Sequence, residues 1–323
     1  MAHELASSKD MAFVGETPWH GLGQKLQPKQ PIEVWQRSAG MDFEINKSIV
    51  LFNADNGDDK SLNFRNYMDA SVLYRSDNHE GLSVVSNRYK VVQPREVLEF
   101  YRDLVTVGGF ELETAGVLKG GKKLWALAKT GQSVLLPGLD KVNSYLLLAT
   151  SCDGSLATTA QFTSIRVVCN NTLQMAVGDN KGAVRVPHSR VFDPIAVKRE
   201  LGLGMSSWET FMASIKEMAK RPVNKFEAMN YLVNVLGDPA IPIQEQPNQK
   251  AIQSVHALYS GEGKGSNMQS TKGTVWGLVN GITEFIDHER RARSPDSRLD
   301  SAWFGHGAAI KQRALEQAIA LTA

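Results

Sequence analysis

Glu284, Asp287 and His288 are the first residues whose types and spacing could do chemistry. Positions four apart on a helix face the same side, so Glu284 and His288 would offer a carboxylate and an imidazole to one metal ion, with Asp287 one residue from the latter. Such a trio would suit metal-assisted cleavage of a phosphodiester, the chemistry of a nuclease. The set is incomplete: no HExxH pair occurs, and no second helix supplies a matching pair. The ordinary reading is a polar helix face on which His288 pairs with Glu284. No metal and no cofactor is assigned.

Other enzyme signatures fail in the same way. Gly261-Glu262-Gly263-Lys264-Gly265-Ser266 invites comparison with a phosphate-binding P-loop, but the first glycine of that pattern falls on Leu258 and no apolar strand precedes it. It reads as a flexible loop before a helix capped by Ser270 or Thr271. No G-x-S-x-G elbow and no dinucleotide fingerprint occurs. Neither Cys152 nor Cys169, the two cysteines of the chain, sits in a thiol-protease context. A binding protein is the better reading than an enzyme.

Binding chemistry is carried by cations. Ser144 to Phe162 reads as a hairpin turned at Asp153-Gly154. After Phe162 the apolar residues Ile165, Val168, Cys169, Thr172, Leu173 and Ala176 fall at helical spacing, predicting a helix from Thr163 to Val177. Arg166 would then stand in its first turn, beside unpaired N–H groups, where a phosphate is favoured. Lys119, Lys122 and Lys123 surround a Gly-centred hairpin tip. Arg88 and Lys90 flank Tyr89, and Arg185 and Arg190 lie in a Pro-containing connector. The ordinary alternatives are solvated turns and edge-protecting lysines. Trp19 and His20, in the glycine-rich loop 15–23, read as a core-edge plug or a stacking platform.

The elements that must position these residues are legible in outline. A short helix follows Pro31, strands are expected over 41–52, 67–74, 82–86, 110–118 and 124–129, and Pro94 opens an amphipathic helix with Val97, Leu98, Tyr101, Leu104 and Val105 on one stripe. From Asp193 onward no strand is evident, and helices are expected at 194–201, 207–220, 224–236, 248–259, 272–292 and 306–321. The fold class is therefore α+β: a mostly antiparallel sheet with packed helices over 1–190, followed by an all-α region over 191–323. Hydrophobic content of 42%, charged content of 22% and a net charge of +2 describe an ordinary soluble chain, in which nucleic-acid binding must come from local clustering of Lys and Arg. With few cysteines, no signal peptide and no membrane-spanning run, a cytoplasmic setting is expected.

Several stretches together resemble a known family. GETPWHGLG (15–23), NRYKVVQP (87–94), RVVCNNTL (166–173), TVWGLVNGITEFIDHERR (274–291) and LDSAWFGHGAAIKQRAL (299–315) are similar to a phage- and plasmid-borne family of uncharacterised proteins. The resemblance covers most of the chain and implies a bacterial or phage-infected cytoplasm, without an activity. The layout of antiparallel strands backed by helices also resembles the core of phage-type single-strand annealing proteins, which hold single-stranded DNA by its backbone and assemble into rings or filaments. That likeness concerns layout alone.

The expected function is a non-catalytic, homo-oligomeric protein that binds or anneals single-stranded DNA in phage or plasmid recombination or replication. Arg88, Lys90, Lys119, Lys122, Lys123, Arg166, Arg185 and Arg190 are its candidate nucleic-acid contacts. The rival from another class is an interaction module that counters host defence by binding a host or phage protein through a surface around Trp276 and Trp303. A metal-dependent nuclease is third.

Overall fold

Pro31 fixes an extended backbone before α1 (Ile32–Ser38), and Gly40, at φ 67°, ends the turn after it. The computed structural model describes residues 10–15, 23–54, 63–106, 109–166, 168, 171–174, 183–202 and 205–322. Trp19, His20 and Cys169 lie outside the described residues, as does Lys181. The protein is α+β, with a large antiparallel-rich sheet and helices in its C-terminal part.

Two compact units share the chain. The first comprises 1–128, 147–160 and 185–197; the second comprises 129–146, 161–184 and 198–323. The chain thus enters each unit more than once, which differs from a single boundary at 190. Strands β7 (Lys123–Leu136), β8 (Asp140–Ser151) and β9 (Thr158–Arg166) each contribute residues to both.

In the first unit, β1 (Met11–Val14) pairs in parallel with β2 (Gln24–Leu26) and antiparallel with β6 (Glu111–Leu118). A separate three-stranded sheet has β4 (Phe64–Arg75) between β3 (Ile45–Asn53) and β5 (Gly81–Ser86). Helix α2 (Pro94–Thr106) buries Val97, Leu98 and Tyr101 of the expected stripe, together with Phe100, while Leu104 and Val105 are half-buried. The Tyr101 hydroxyl donates to Ala126 O at 2.7 Å, so its one polar atom is satisfied inside the core it shares with Trp35 and Trp125. Burying side chains of this size contributes about 1.5–3 kcal/mol each.

The second unit centres on α7 (Val275–Glu284), all ten of whose residues are buried. α4 (Met205–Lys220), α6 (Gln249–Ala257) and α9 (His306–Thr322) pack against it, while α5 (Lys225–Leu236) packs on α6 and α9, and α8 (Pro295–Phe304) on α9. A Cβ on Gly277 would lie 2.0 Å from Thr271 O, so only glycine permits that approach. Thr274, rather than Ser270 or Thr271, caps α7 through the Gly277 N–H. Ser270 instead donates to the buried Asp140 carboxylate at 2.7 Å, beside the Trp276 indole N–H at 3.3 Å. After Glu284 the helix widens into a π turn over Phe285–Glu289, closed by the Arg290 N–H to Phe285 O at 2.7 Å.

Two expectations are corrected here. The helix expected from Thr163 to Val177 is a hairpin: β9 continues to Arg166 and pairs antiparallel with β10 (Asn171–Gln174), Arg166 opposite Asn171. Ile165, within β9, is β-branched and stiff at χ1, which suits a strand better than a helix. Helix α8 was not expected, because Ser294-Pro295 reads as a break. Ser294 is in fact its N-cap, accepting from the Ser297 N–H, with Pro295 in the first turn.

Candidate nucleic-acid interface

Tyr89 follows β5 in the first unit, and its hydroxyl donates to Ser151 O at 2.7 Å. His188, two residues beyond β11 (Ala183–Val186), stacks on the Tyr89 ring with centroids 4.3 Å apart and planes 16° from parallel. Its Nδ1 lies 3.1 Å from Lys90 O and its Nε2 lies 2.9 Å from Leu156 O. The Lys90 N–H donates to His188 O at 2.6 Å. These bonds bring the 183–190 connector against the Arg88–Lys90 segment, although the two are about a hundred residues apart in sequence.

Arg88, Lys90, Arg185 and Arg190 are all exposed around this stack. Lys122 joins from another side. Its carbonyl accepts from the Cys152 N–H at 2.7 Å, and Cys152 follows Ser151, the acceptor of Tyr89. Lys119 and Lys122 are half-buried in the turn after β6, where Arg75 Nη1 donates to Gly120 O at 3.1 Å. Lys123 is buried near Asp153. Burial pushes the Asp153 carboxyl up, but hydrogen bonds from Ser155 and Ser151 and the Lys123 charge outweigh it and hold the group below its ordinary value. Arg166 stands at the end of β9 and not at a helix start, so the dipole expected beside it is absent.

Two groups at the centre of this arrangement, the Cys152 thiol and the Tyr89 phenol, are held in their neutral forms. Burial, with a smaller contribution from the Asp153 charge, pushes the Cys152 thiol up to about 12. A neutral thiol that faces Gly121 O at 3.5 Å is a packing group and not a nucleophile. Burial likewise raises the Tyr89 phenol above its ordinary value. What the surface can do chemically is hold an anion.

The residues considered for metal chemistry are engaged elsewhere in the second unit. Both Glu284 carboxylate oxygens accept the Lys264 N–H, at 2.9 and 3.1 Å, which fixes the glycine-rich loop. Asp287 is paired with Lys311 at 2.7 Å, and both side chains are buried. Among the described residues no three His, Cys, Asp or Glu side chains gather as a metal site. Trp276 is buried against Asp140, whereas Trp303 is half-buried and edge-on to Phe304.

The cations are legible in the sequence, but the contact that joins them is not. The Tyr89–His188 stack leaves no periodic signal, because its partners belong to segments far apart in sequence.

An α+β unit with exposed basic residues around a Tyr–His stack is what this geometry defines. Residues 81–303 match the family model described as a domain of unknown function, DUF932. The chain belongs to that family, which is uncharacterised, in line with the resemblance noted above. No curated protein and no solved structure matches the chain. Among the described residues no helix is long and apolar enough to cross a membrane.

Proposed function

We propose that this protein binds single-stranded DNA without catalytic chemistry, as a self-associating annealing protein of a phage or plasmid acting in the cytoplasm of its host cell. The observation that carries the reading is the gathering of Arg88, Lys90, Arg185 and Arg190, all exposed, by the Tyr89–His188 contact. Backbone phosphates of a single strand are held by such a line of cations, and each contact releases counterions, so log K falls by about 0.7 per log unit of salt per phosphate. Four contacts give a slope near −3 by the same rule.

Self-association is supported by the β3–β4 ribbon. Ile49, Leu51, Phe52, Phe64, Tyr67 and Met68 are between 50% and 73% exposed. By the strand register Leu51 and Phe64 lie on one face of the ribbon and Phe52 and Tyr67 on the other, so each face offers exposed apolar side chains that a second copy could cover. β3 is moreover an edge strand, which leaves backbone groups for a second copy to pair.

The test is fluorescence anisotropy of a labelled single-stranded oligonucleotide at several salt concentrations. Wild type should bind with a steep salt slope, and Arg88→Ala/Lys90→Ala should weaken binding about tenfold and flatten the slope. Failure of the folded wild-type protein to bind at low salt would sink the DNA reading. For assembly, Met68→Glu should lower the mass seen by analytical ultracentrifugation, and a wild-type monomer at tens of micromolar concentration would remove that part.

A further inference from the structure

The second unit holds a cleft of about 770 Å³ between the C-terminal end of α5, the start of α6, the π turn after α7 and the start of α9. Lys250, Arg290, Arg291 and Arg313 line it, with His306 beside them, and no Asp or Glu lies among its lining residues. The whole chain carries a net charge of only +2, so four cations around one cleft are a local concentration and not a share of a basic surface. Like charges held together repel one another, and the folded chain bears that repulsion when no anion is present. Among the described residues Lys250, Arg290 and Arg291 have no carboxylate partner.

The surrounding geometry aims these groups. Arg313 Nη1 donates to Val235 O at 3.2 Å, which anchors its guanidinium at the end of α5 while other N–H groups of the fork remain. The main-chain bond from Arg290 to Phe285 O ties two lining residues together. Phe285 is half-buried, so part of its ring faces out of the core. The volume falls in the range of small-molecule sites, about 300–1,000 Å³.

We propose that this cleft is a separate binding site for a polyphosphate ester of nucleotide size. The phosphates would be held by Lys250, Arg290, Arg291 and Arg313, and the base would lie against Phe285. Guanidinium forks suit this ligand because they meet phosphate oxygens two at a time. Its residues belong to the second unit, and those of the proposed DNA surface to the first.

The experiment is isothermal titration calorimetry of the full chain at low salt with ATP, with inorganic tripolyphosphate and with a single-stranded oligonucleotide. ATP and tripolyphosphate should each bind one per chain, ATP the tighter. Lys250→Ala/Arg291→Ala, both at exposed positions, should weaken ATP at least tenfold, while Arg88→Ala/Lys90→Ala should leave it unchanged. Absence of heat with ATP and tripolyphosphate up to millimolar concentration overturns the proposal. So does ATP binding that the cleft variant leaves intact, since the ligand would then sit elsewhere. Weakening of the oligonucleotide alone by the cleft variant would mean that the cleft takes DNA backbone, and it overturns the small-ligand site equally.

Discussion

Tyr89 and His188 stack at 4.3 Å, and whichever ring nitrogen of His188 carries the hydrogen donates it to a main-chain carbonyl, of Lys90 or of Leu156. The aromatic contact holds the connector in place, and the polar contacts fix its orientation. His188→Ala removes a stacked pair worth about 0.5–1.5 kcal/mol and a hydrogen bond of similar size. The expected loss, about 1–3 kcal/mol, is read from urea denaturation. His188→Phe should recover the stacking part. An unchanged midpoint for His188→Ala would show that the connector is held by other means.

Cys152 should resist modification in the folded protein. With its thiol pushed up to about 12 by burial, almost none is thiolate at pH 8. In a Cys169→Ser background, an aromatic disulfide reagent should label Cys152 only after denaturant is added. Fast labelling of the native protein would contradict that burial.

The pair Arg75–Asp77, 2.7 Å apart, makes stability depend on acid. The Arg75 hydrogen bonds hold the Asp77 carboxyl below its ordinary value. A carboxyl depressed on folding contributes stability above its unfolded value of 3.8, and that contribution fades as pH falls through the lower folded value. Asp77→Asn should therefore be less stable than wild type at pH 7, with the difference shrinking at the acid end of a thermal-melt series. A difference that grows towards low pH would reverse the assignment. Arg75 also lies 3.9 Å over the Phe43 ring, so Arg75→Lys should not substitute for it.

The buried pair Asp287–Lys311 should be costly to halve. Lys311→Met removes the ammonium that lies 2.7 Å from the buried Asp287 carboxylate, a change worth about 3–5 kcal/mol. Replacing both, as Asp287→Leu/Lys311→Met, should recover most of it. Equal losses in the single and double variants, measured by denaturant unfolding, would show that the ion pair is not what the site requires.

Where local pattern and burial agree, the sequence announces the structure. The stripe of α2 is visible because Val97, Leu98 and Tyr101 repeat at helical spacing and all three are buried. Gly154 takes φ 74°, as expected of a turn at Asp153-Gly154, but the connection from β8 to β9 runs over 152–157 and is longer than a two-residue hairpin turn. Alternation in β3 suggests a strand but not its surroundings: Ile45 is buried while Ile49 and Leu51 of the same parity are exposed. The Thr163–Val177 stretch misleads because a short apolar run satisfies both periods. The basic cleft has no local signature at all, since Lys250, Arg290, Arg291 and Arg313 come from three different parts of the second unit. The shift in composition near residue 190 is real, yet β7, β8 and β9 give residues to both units, and no window of sequence shows that.

The π turn after α7 acts as a buffer of chain length. An α-helix advances about 100° per residue, so one residue more in an ordinary helix re-aims all that follows. Five residues wound with the wider i→i+5 bond cover about the same angle as four residues of α-helix, so the extra residue within Phe285–Glu289 is taken up locally, and Arg290 and Arg291 keep the direction that an unbroken helix one residue shorter would give them.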